Sequence, residues 1–303
     1  MSSPLLAACA ALAYSLSQIF VRLGSRSVRP LSGVVLSLGS SVIVLIVALT
    51  IRGWVSPNLT AVAAFALGGL LGPGLGRILS ITAISRIGAT RASPVKAAAQ
   101  PIVAVMLGVV VLSETLELSR VFGILVTLSG VLIVVRSGQR TSAPTGTGAV
   151  EGQVRPPIIH GLSVLLWPLA AGTAFSTADL VRKSGMQVMD DAIFGGSVGV
   201  TVALSIWGTV LIMRGQGSAF VRDIGTSDSK WFLASGMASG AAQVFMLSAL
   251  RDGDLSLVGP IVSIQPILIA LISRVFIQRL EKVGIAVIAA AVMAVAGTIL
   301  ISR

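Results

Sequence analysis

Long apolar stretches, each closed by a short polar break, recur about ten times along this chain. Their approximate limits are 4–23, 31–51, 60–84, 92–112 and 118–136, then 161–182, 192–213, 231–250, 255–277 and 283–301. A helix rises 1.5 Å per residue, so roughly 20 residues cross the ~30 Å hydrocarbon layer of a bilayer. Backbone polar groups in lipid must be satisfied within the segment, which makes the helix the spanning element for such runs. The pattern predicts an all-α, polytopic membrane protein with about ten transmembrane helices. One break is different in kind. Ser137 to Pro157 is rich in Ser, Thr, Gly and Pro, a composition that buries no core and reads as a flexible linker. It divides the chain into 1–136, a linker at 137–160, and 161–303, with five spans on each side.

The two sides repeat one another. Gln100-Pro101-Ile102-Val103 lies near the middle of the fourth span, and Gln265-Pro266-Ile267-Leu268 lies in the ninth, 165 residues later. Ala13-Tyr14-Ser15 in the first span matches Ala174-Phe175-Ser176 in the sixth. Ile81-Thr82-Ala83-Ile84 matches Leu247-Ser248-Ala249-Leu250. Each match is weak, but their shared order at a nearly constant offset marks an internal duplication. Five is an odd number of crossings, so the second half enters the membrane from the side opposite to the first. The chain is therefore expected to hold two inverted five-helix repeats, with room for a site between them near mid-depth.

Composition agrees with the lipid reading. The 303 residues are 54% hydrophobic and only 11% charged, against about 25% charged in soluble domains, and the mean hydropathy is +0.96. The net charge of +11 comes from bases scattered between apolar runs. It forms no stripe that would suit nucleic acid. Leu5 to Leu23 has no basic region ahead of it and reads as a span, not as a removed signal peptide. One cysteine, Cys9, and one histidine, His160, leave no ligand set for a metal and no triad. No GxxxxGK[ST] stretch is present, so no phosphate-cradling loop for ATP is expected. No cofactor is expected and the chain does not read as an enzyme.

Gly88-Ala89 with Ala92-Ser93, then Pro101, then Leu112-Ser113-Glu114-Thr115-Leu116, then Gly123 and Gly130, together resemble the EamA module of the drug/metabolite transporter superfamily. The resemblance spans both halves and is better in the first. In the second, Arg279 stands about where the motif glutamate belongs, with Glu281 nearby. What the resemblance implies is a ten-helix permease with inverted repeats, often an exporter of metabolites. It implies no particular substrate.

Basic residues also bear on orientation. One set of connections holds Arg26, Arg29, Arg86, Arg91, Arg136, Arg140, Arg155, Arg214, Arg222, Lys230, Arg279 and Lys282. The opposite set holds Arg52, Arg120, Arg182, Lys183, Arg251 and Arg303. The positive-inside rule then puts the central linker in the cytoplasm and both termini outside, for a multi-pass protein of the cell (inner) membrane. Ten-helix members of the resembled family usually have the reverse orientation.

Polar residues inside the spans are the candidate chemistry, because a charge near the bilayer centre is costly unless it faces a cavity or partner. The candidates are Gln18, Arg77, Lys96, Gln100, Asp179, Gln243 and Gln265. Arg77 offers a planar fork for a carboxylate or phosphate, and Lys96 a point charge. Snorkelling to lipid phosphates is the other reading of both. Gln18 aligns with Asp179, Arg77 with Gln243, and Gln100 with Gln265. Asp179 either takes part in proton coupling or pairs with Arg182 and Lys183. The glutamines either line the path or bond helix to helix. Gly72, Pro73 and Gly76, with Gly236 and Gly240, read as close-packing positions and, at 72–76, a hinge. Pro101 and Pro266 each break a helix beside a glutamine.

The expected function is a secondary transporter that carries a small organic metabolite by alternating access through a cavity between the repeats, with export the expected direction. The expected partners are the solute, membrane lipid and a coupling proton, the chain being a monomer or homodimer. The alternative is a flippase for a lipid or lipid-linked head group.

Overall fold

The structure, a computed structural model, describes residues 3–53, 56–112, 121–123, 125–126, 129–130, 133, 162–252, 262, 264–276 and 285–301. The linker at 137–160 lies outside the described residues, as do most of the fifth span, Glu114 and its motif beyond Leu112, and Arg279, Glu281 and Lys282.

The helices in order are α1 (Ser3–Gly24), α2 (Pro30–Arg52), α3 (Leu59–Gly69), α4 (Arg77–Ile87) and α5 (Ala89–Leu112). The second half holds α6 (Leu166–Val188), α7 (Ala192–Met213), α8 (Gly217–Ile224), α9 (Ser229–Asp252), α10 (Gln265–Phe276) and α11 (Ile285–Ile301). No strand occurs among the described residues. Four segments among them are long and apolar enough to cross a bilayer: Pro4–Gly24, Pro30–Arg52, Leu59–Ile87 and Ile193–Met213. Local chemistry sets the helix ends. Pro30 occupies the first turn of α2, where a missing N–H costs nothing. Asn58 accepts from the Thr60 and Ala61 amides at 2.9 and 3.3 Å, capping α3. Gly53 and Gly88, at φ 99° and 83°, end α2 and α4 in a backbone region that other residues avoid.

The third span is continuous but not uniformly α-helical. A π-helical segment, Leu70–Gly76, joins α3 to α4. Pro73 lies inside it, and a proline lacks the amide that an α-helical ladder needs there. The Trp207 indole of α7 donates a 3.1 Å hydrogen bond to the Gly74 carbonyl, giving that segment an outside partner. The short α8 was not anticipated from the sequence. It carries exposed Val221 and Ile224 opposite buried Ala219 and Asp223, an amphipathic arrangement suited to a membrane interface.

The helices pack in matched pairs. α1 lies against α9 and α10, while α6 lies against the α3–α4 run and α5. α2 packs on α9, and α7 on α3. α2 and α7 also pack on one another, as do α5 and α10. If α1 answers to α6, α2 to α7, the α3–α4 run to α9, and α5 to α10, every one of these contacts has its counterpart. Small residues permit the close ones. A Cβ on Gly199 of α7 would stand 3.1 Å from the Gly69 Cα of α3, so these two backbones touch. A Cβ on Gly240 of α9 would stand 3.0 Å from the Val44 Cβ of α2, and Gly236 faces Ser37 and Ser40.

Polar contacts fix which helix ends share a face. Arg29 and Ser32 donate to Asp223 at 2.9 and 2.5 Å, and Ser27 donates to Asp228 at 2.7 Å. The 24–30 and 213–229 connections therefore lie at one end of the bundle. Arg52 pairs with Asp191, so the C-terminal ends of α2 and α6 lie at the other. α1 thus runs toward the first end and α6 toward the second, and the equivalent helices point in opposite directions.

Candidate solute cavity

Arg77, Lys96, Gln18 and Gln265 sit on contacts between helices of the two halves. Arg77 stands one turn beyond Pro73, the midpoint of the 29-residue run Leu59–Ile87. Its Nε donates to Ser37 Oγ of α2 at 2.9 Å and its Nη1 to Ser239 Oγ of α9 at 2.7 Å. Ser239 is itself near the middle of α9. The remaining nitrogen, Nη2, is buried without a hydrogen-bond partner. The guanidinium thus turns to serines on two other spans, away from a lipid interface. No described carboxylate pairs with it.

Lys96 of α5 places its Nζ 5.5 Å from the centroid of the Phe175 ring of α6, a cation–π contact. Phe175 in turn lies on the π segment. A Cβ on Gly76 would stand 3.0 Å from its ring, so glycine there makes the room. Gly72 does the same one turn earlier, facing Ala178 at 2.9 Å and the Arg182 guanidinium at 3.5 Å. Arg182 donates to Asp179 at 3.4 Å, and the Asp179 side chain is 58% accessible, so neighbouring helices leave it open. Tyr14 of α1 lies within electrostatic reach of Arg182, Asp179 and Arg77, and Lys96 within that of Arg77. These side chains form one cluster, drawn from α1, α4, α5 and α6.

The two Gln-Pro positions anchor crossings between the halves. Ser176 of α6 donates a 2.6 Å hydrogen bond to the backbone carbonyl of Gln100, the middle residue of α5. Ser15 of α1 stands 3.4 Å from the backbone carbonyl of Gln265, its shorter bond being to Ala11 within its own helix at 2.7 Å. Ser15 and Ser176 are equivalent positions in the aligned halves, as are Gln265 and Gln100. Gln18 Nε2 also donates to Gln265 Oε1 at 3.4 Å, while Gln18 Oε1 is buried without a partner. Gln243 is buried in α9, and Pro266 is buried in the first turn of α10. Pro101 lies within α5.

The charges stand out in the sequence, whereas the serines that hold them do not. Ser37, Ser40 and Ser41, spaced i, i+3, i+4 on a span that is otherwise apolar, were the available signal. So were Ser235 and Ser239 at i, i+4. Serines one turn apart share a helix face. Here those faces meet: Ser17 donates to the Ser235 carbonyl at 2.9 Å, Ser40 to Leu233 at 2.9 Å and Ser41 to Gly236 at 2.8 Å.

Apolar spans packed in matched pairs around polar side chains at mid-depth are the architecture of a multi-pass membrane transporter. The EamA-like transporter family model matches residues 1–136 and 162–303, and the chain belongs to that family. It is a family of transporters and not of enzymes. A crystal structure described only as "Crystal structure of protein" is similar over 98% of this chain and 95% of its own, with a TM-score of 0.62 and 17% identity. At that identity the likeness concerns the fold alone. No curated protein matches the chain.

Proposed function

We propose that this chain is a secondary transporter that exports a small organic solute by alternating access through a cavity between two inverted repeats, 1–136 and 161–303. The observation that carries the reading is the Arg77 cluster. A charged side chain at mid-depth is expensive in lipid, yet this one is held by two spans and keeps an unpartnered nitrogen. Such a group belongs to a solute path better than to a packing interface. The inward direction of Arg77 favours a solute over a lipid head group, which would approach from the membrane face.

The lining assigned to the path is Gln18, Arg77, Lys96, Gln100, Asp179, Gln243 and Gln265, with Asp179 the site of a coupling proton. The π segment at 70–76 is the flexible part of the third span. Its register already departs from the α-helical ladder, so a change there breaks fewer bonds than in a regular helix.

The test is solute exchange in proteoliposomes holding the full chain. Arg77→Ala and Gln100→Ala are expected to abolish exchange while folded protein is recovered in normal amount. Unchanged exchange in both variants would sink the cavity assignment. The charge bias places the end bearing Arg29 and Asp223 in the cytoplasm of a cell-membrane protein. In a Cys9→Ser background, Ser218→Cys should react with an impermeant thiol reagent only from the cytoplasm, and Ser56→Cys only from outside.

A further inference from the structure

The Arg77 cluster has a sign. Three cations, Arg77, Lys96 and Arg182, stand in the cluster against one described carboxylate, Asp179, and that carboxylate is already spent on Arg182. The hydrogen-bond partners of Arg77 are neutral hydroxyls, and the contact of Lys96 is an aromatic face. Neither partner cancels a charge. A serine hydroxyl can point its lone pair at a guanidinium and fix its plane, but the full positive charge stays in a low-dielectric layer. At the position equivalent to Arg77 the second half carries no acid but Gln243, buried in α9.

Resting on the transporter reading above, we infer that the solute carries an anionic group, a carboxylate or phosphoryl group, and that this group binds between the free edge of the Arg77 guanidinium and the Lys96 ammonium. The geometry is selective in a particular way. With Nε and Nη1 already engaged, Arg77 offers the edge that holds the buried Nη2, an unsatisfied charge-assisted donor for an oxyanion oxygen. Ser37 and Ser239 are positioning residues that keep this edge turned to the cavity. Lys96 adds a second charge from the other half-interface, and the Phe175 ring beneath it holds the ammonium without neutralising it. An organic cation entering this cluster would meet repulsion from all three bases. Among the described residues of the cluster Asp179 is the one carboxylate that could receive it, and Arg182 already occupies its Oδ1.

The test reads binding without transport. The full chain in phosphatidylcholine nanodiscs is unfolded by heat in the presence of four probes of similar size: benzoate, phenyl phosphate, benzyl alcohol and benzylammonium. A ligand that binds the folded form raises its apparent stability by mass action. Benzoate or phenyl phosphate is expected to stabilise the protein where benzyl alcohol and benzylammonium do not. Arg77→Gln and Lys96→Gln should each require about tenfold more anion for the same shift, the usual scale of one lost charge-assisted bond. Arg77→Lys keeps the charge and loses the fork, so its loss should be intermediate; it also serves if Arg77→Gln fails to fold. Adding phosphatidic acid to the nanodiscs separates the two sources of the same chemistry. Stabilisation by the soluble anions assigns the site to a free solute. Stabilisation by phosphatidic acid alone, lost in Arg77→Gln, assigns it to a lipid head group. Equal stabilisation by benzylammonium, stabilisation by no probe, or anion shifts unchanged in both glutamine variants overturns the anion site. A protein that binds anions but exchanges none in proteoliposomes overturns the transport reading instead.

Discussion

Ser176 donates a 2.6 Å hydrogen bond to the backbone carbonyl of Gln100, joining α6 of the second half to the midpoint of α5 in the first. Its counterpart, Ser15 to the Gln265 carbonyl, is open at 3.4 Å. One half-interface is drawn tight and the other is not, at positions the repeat makes equivalent. Hydrogen bonds between spans contribute about 0.6–2 kcal/mol. Ser176→Ala is therefore expected to destabilise the protein by about 1 kcal/mol in thermal or denaturant unfolding, and Ser15→Ala by less, because its hydroxyl is already satisfied within α1. Equal losses would mean that the asymmetry has no energetic content.

Asp179 is more accessible than any other described acid in an ion pair, at 58%, and its link to Arg182 is long at 3.4 Å. Protonation would release Arg182 at the price of one weak bond, with Tyr14 the other titratable neighbour within electrostatic reach. As pH falls, wild-type exchange should respond to loss of this pair. Asp179→Asn mimics the protonated state at every pH, so the pH dependence of exchange should flatten. A profile indistinguishable from wild type removes Asp179 from the coupling step.

Two ion pairs tie α2 to the region of α7, one at each end of the bundle, and they are unequal. Asp191 is 3% exposed, pairs with Arg52 and also caps the Phe194 amide at 3.0 Å. Arg29, opposite Asp223, is 44% exposed. Removing one partner of a buried pair strands the other charge and costs about 3–5 kcal/mol, whereas an exposed pair contributes about 0–1 kcal/mol. Arg52→Ala should accordingly lower the unfolding midpoint strongly and Arg29→Ala little, with Asp223 still accepting from Ser32. Arg52→Ala paired with Asp191→Asn, which removes the stranded charge, should recover part of the loss.

Gly69 and Gly199 bring the α3 and α7 backbones into direct contact. Gly69→Ala would press a methyl group onto the Gly199 backbone, which has no side chain to move. Overpacking of this kind costs about 1–3 kcal/mol. Gly39→Ala, where an added Cβ meets nothing within 4 Å, should be neutral in the same unfolding measurement. Gly76→Ala and Gly72→Ala differ again: the first would press on the Phe175 ring that contacts Lys96, and the second on the Ala178 Cβ at 2.9 Å, beside Arg182. They should impair exchange more than stability.

The all-helical membrane character, the marks of a duplication and the polar residues within apolar runs were legible in the linear chain. Apolar run length is fixed by bilayer thickness, and a duplicated sequence keeps its Gln-Pro and Ala-aromatic-Ser marks wherever it folds. The glycine pairs were legible for the same reason, since only small residues let spans approach closely. The α8 helix was not, because eight residues carry too little periodicity to stand out from a loop. Nor were the partners of the charges. Arg77 was found by being polar among apolar neighbours, but Ser37 and Ser239 lie 40 and 162 residues from it and become its ligands only when α2, α4 and α9 converge. The sequence alone determined that this is a duplicated, helical membrane protein with cations at mid-depth. Tertiary structure decided that those cations gather in one place with a single described carboxylate, Asp179, among them. Charge balance at a point depends on distances between distant segments, and no local pattern records them.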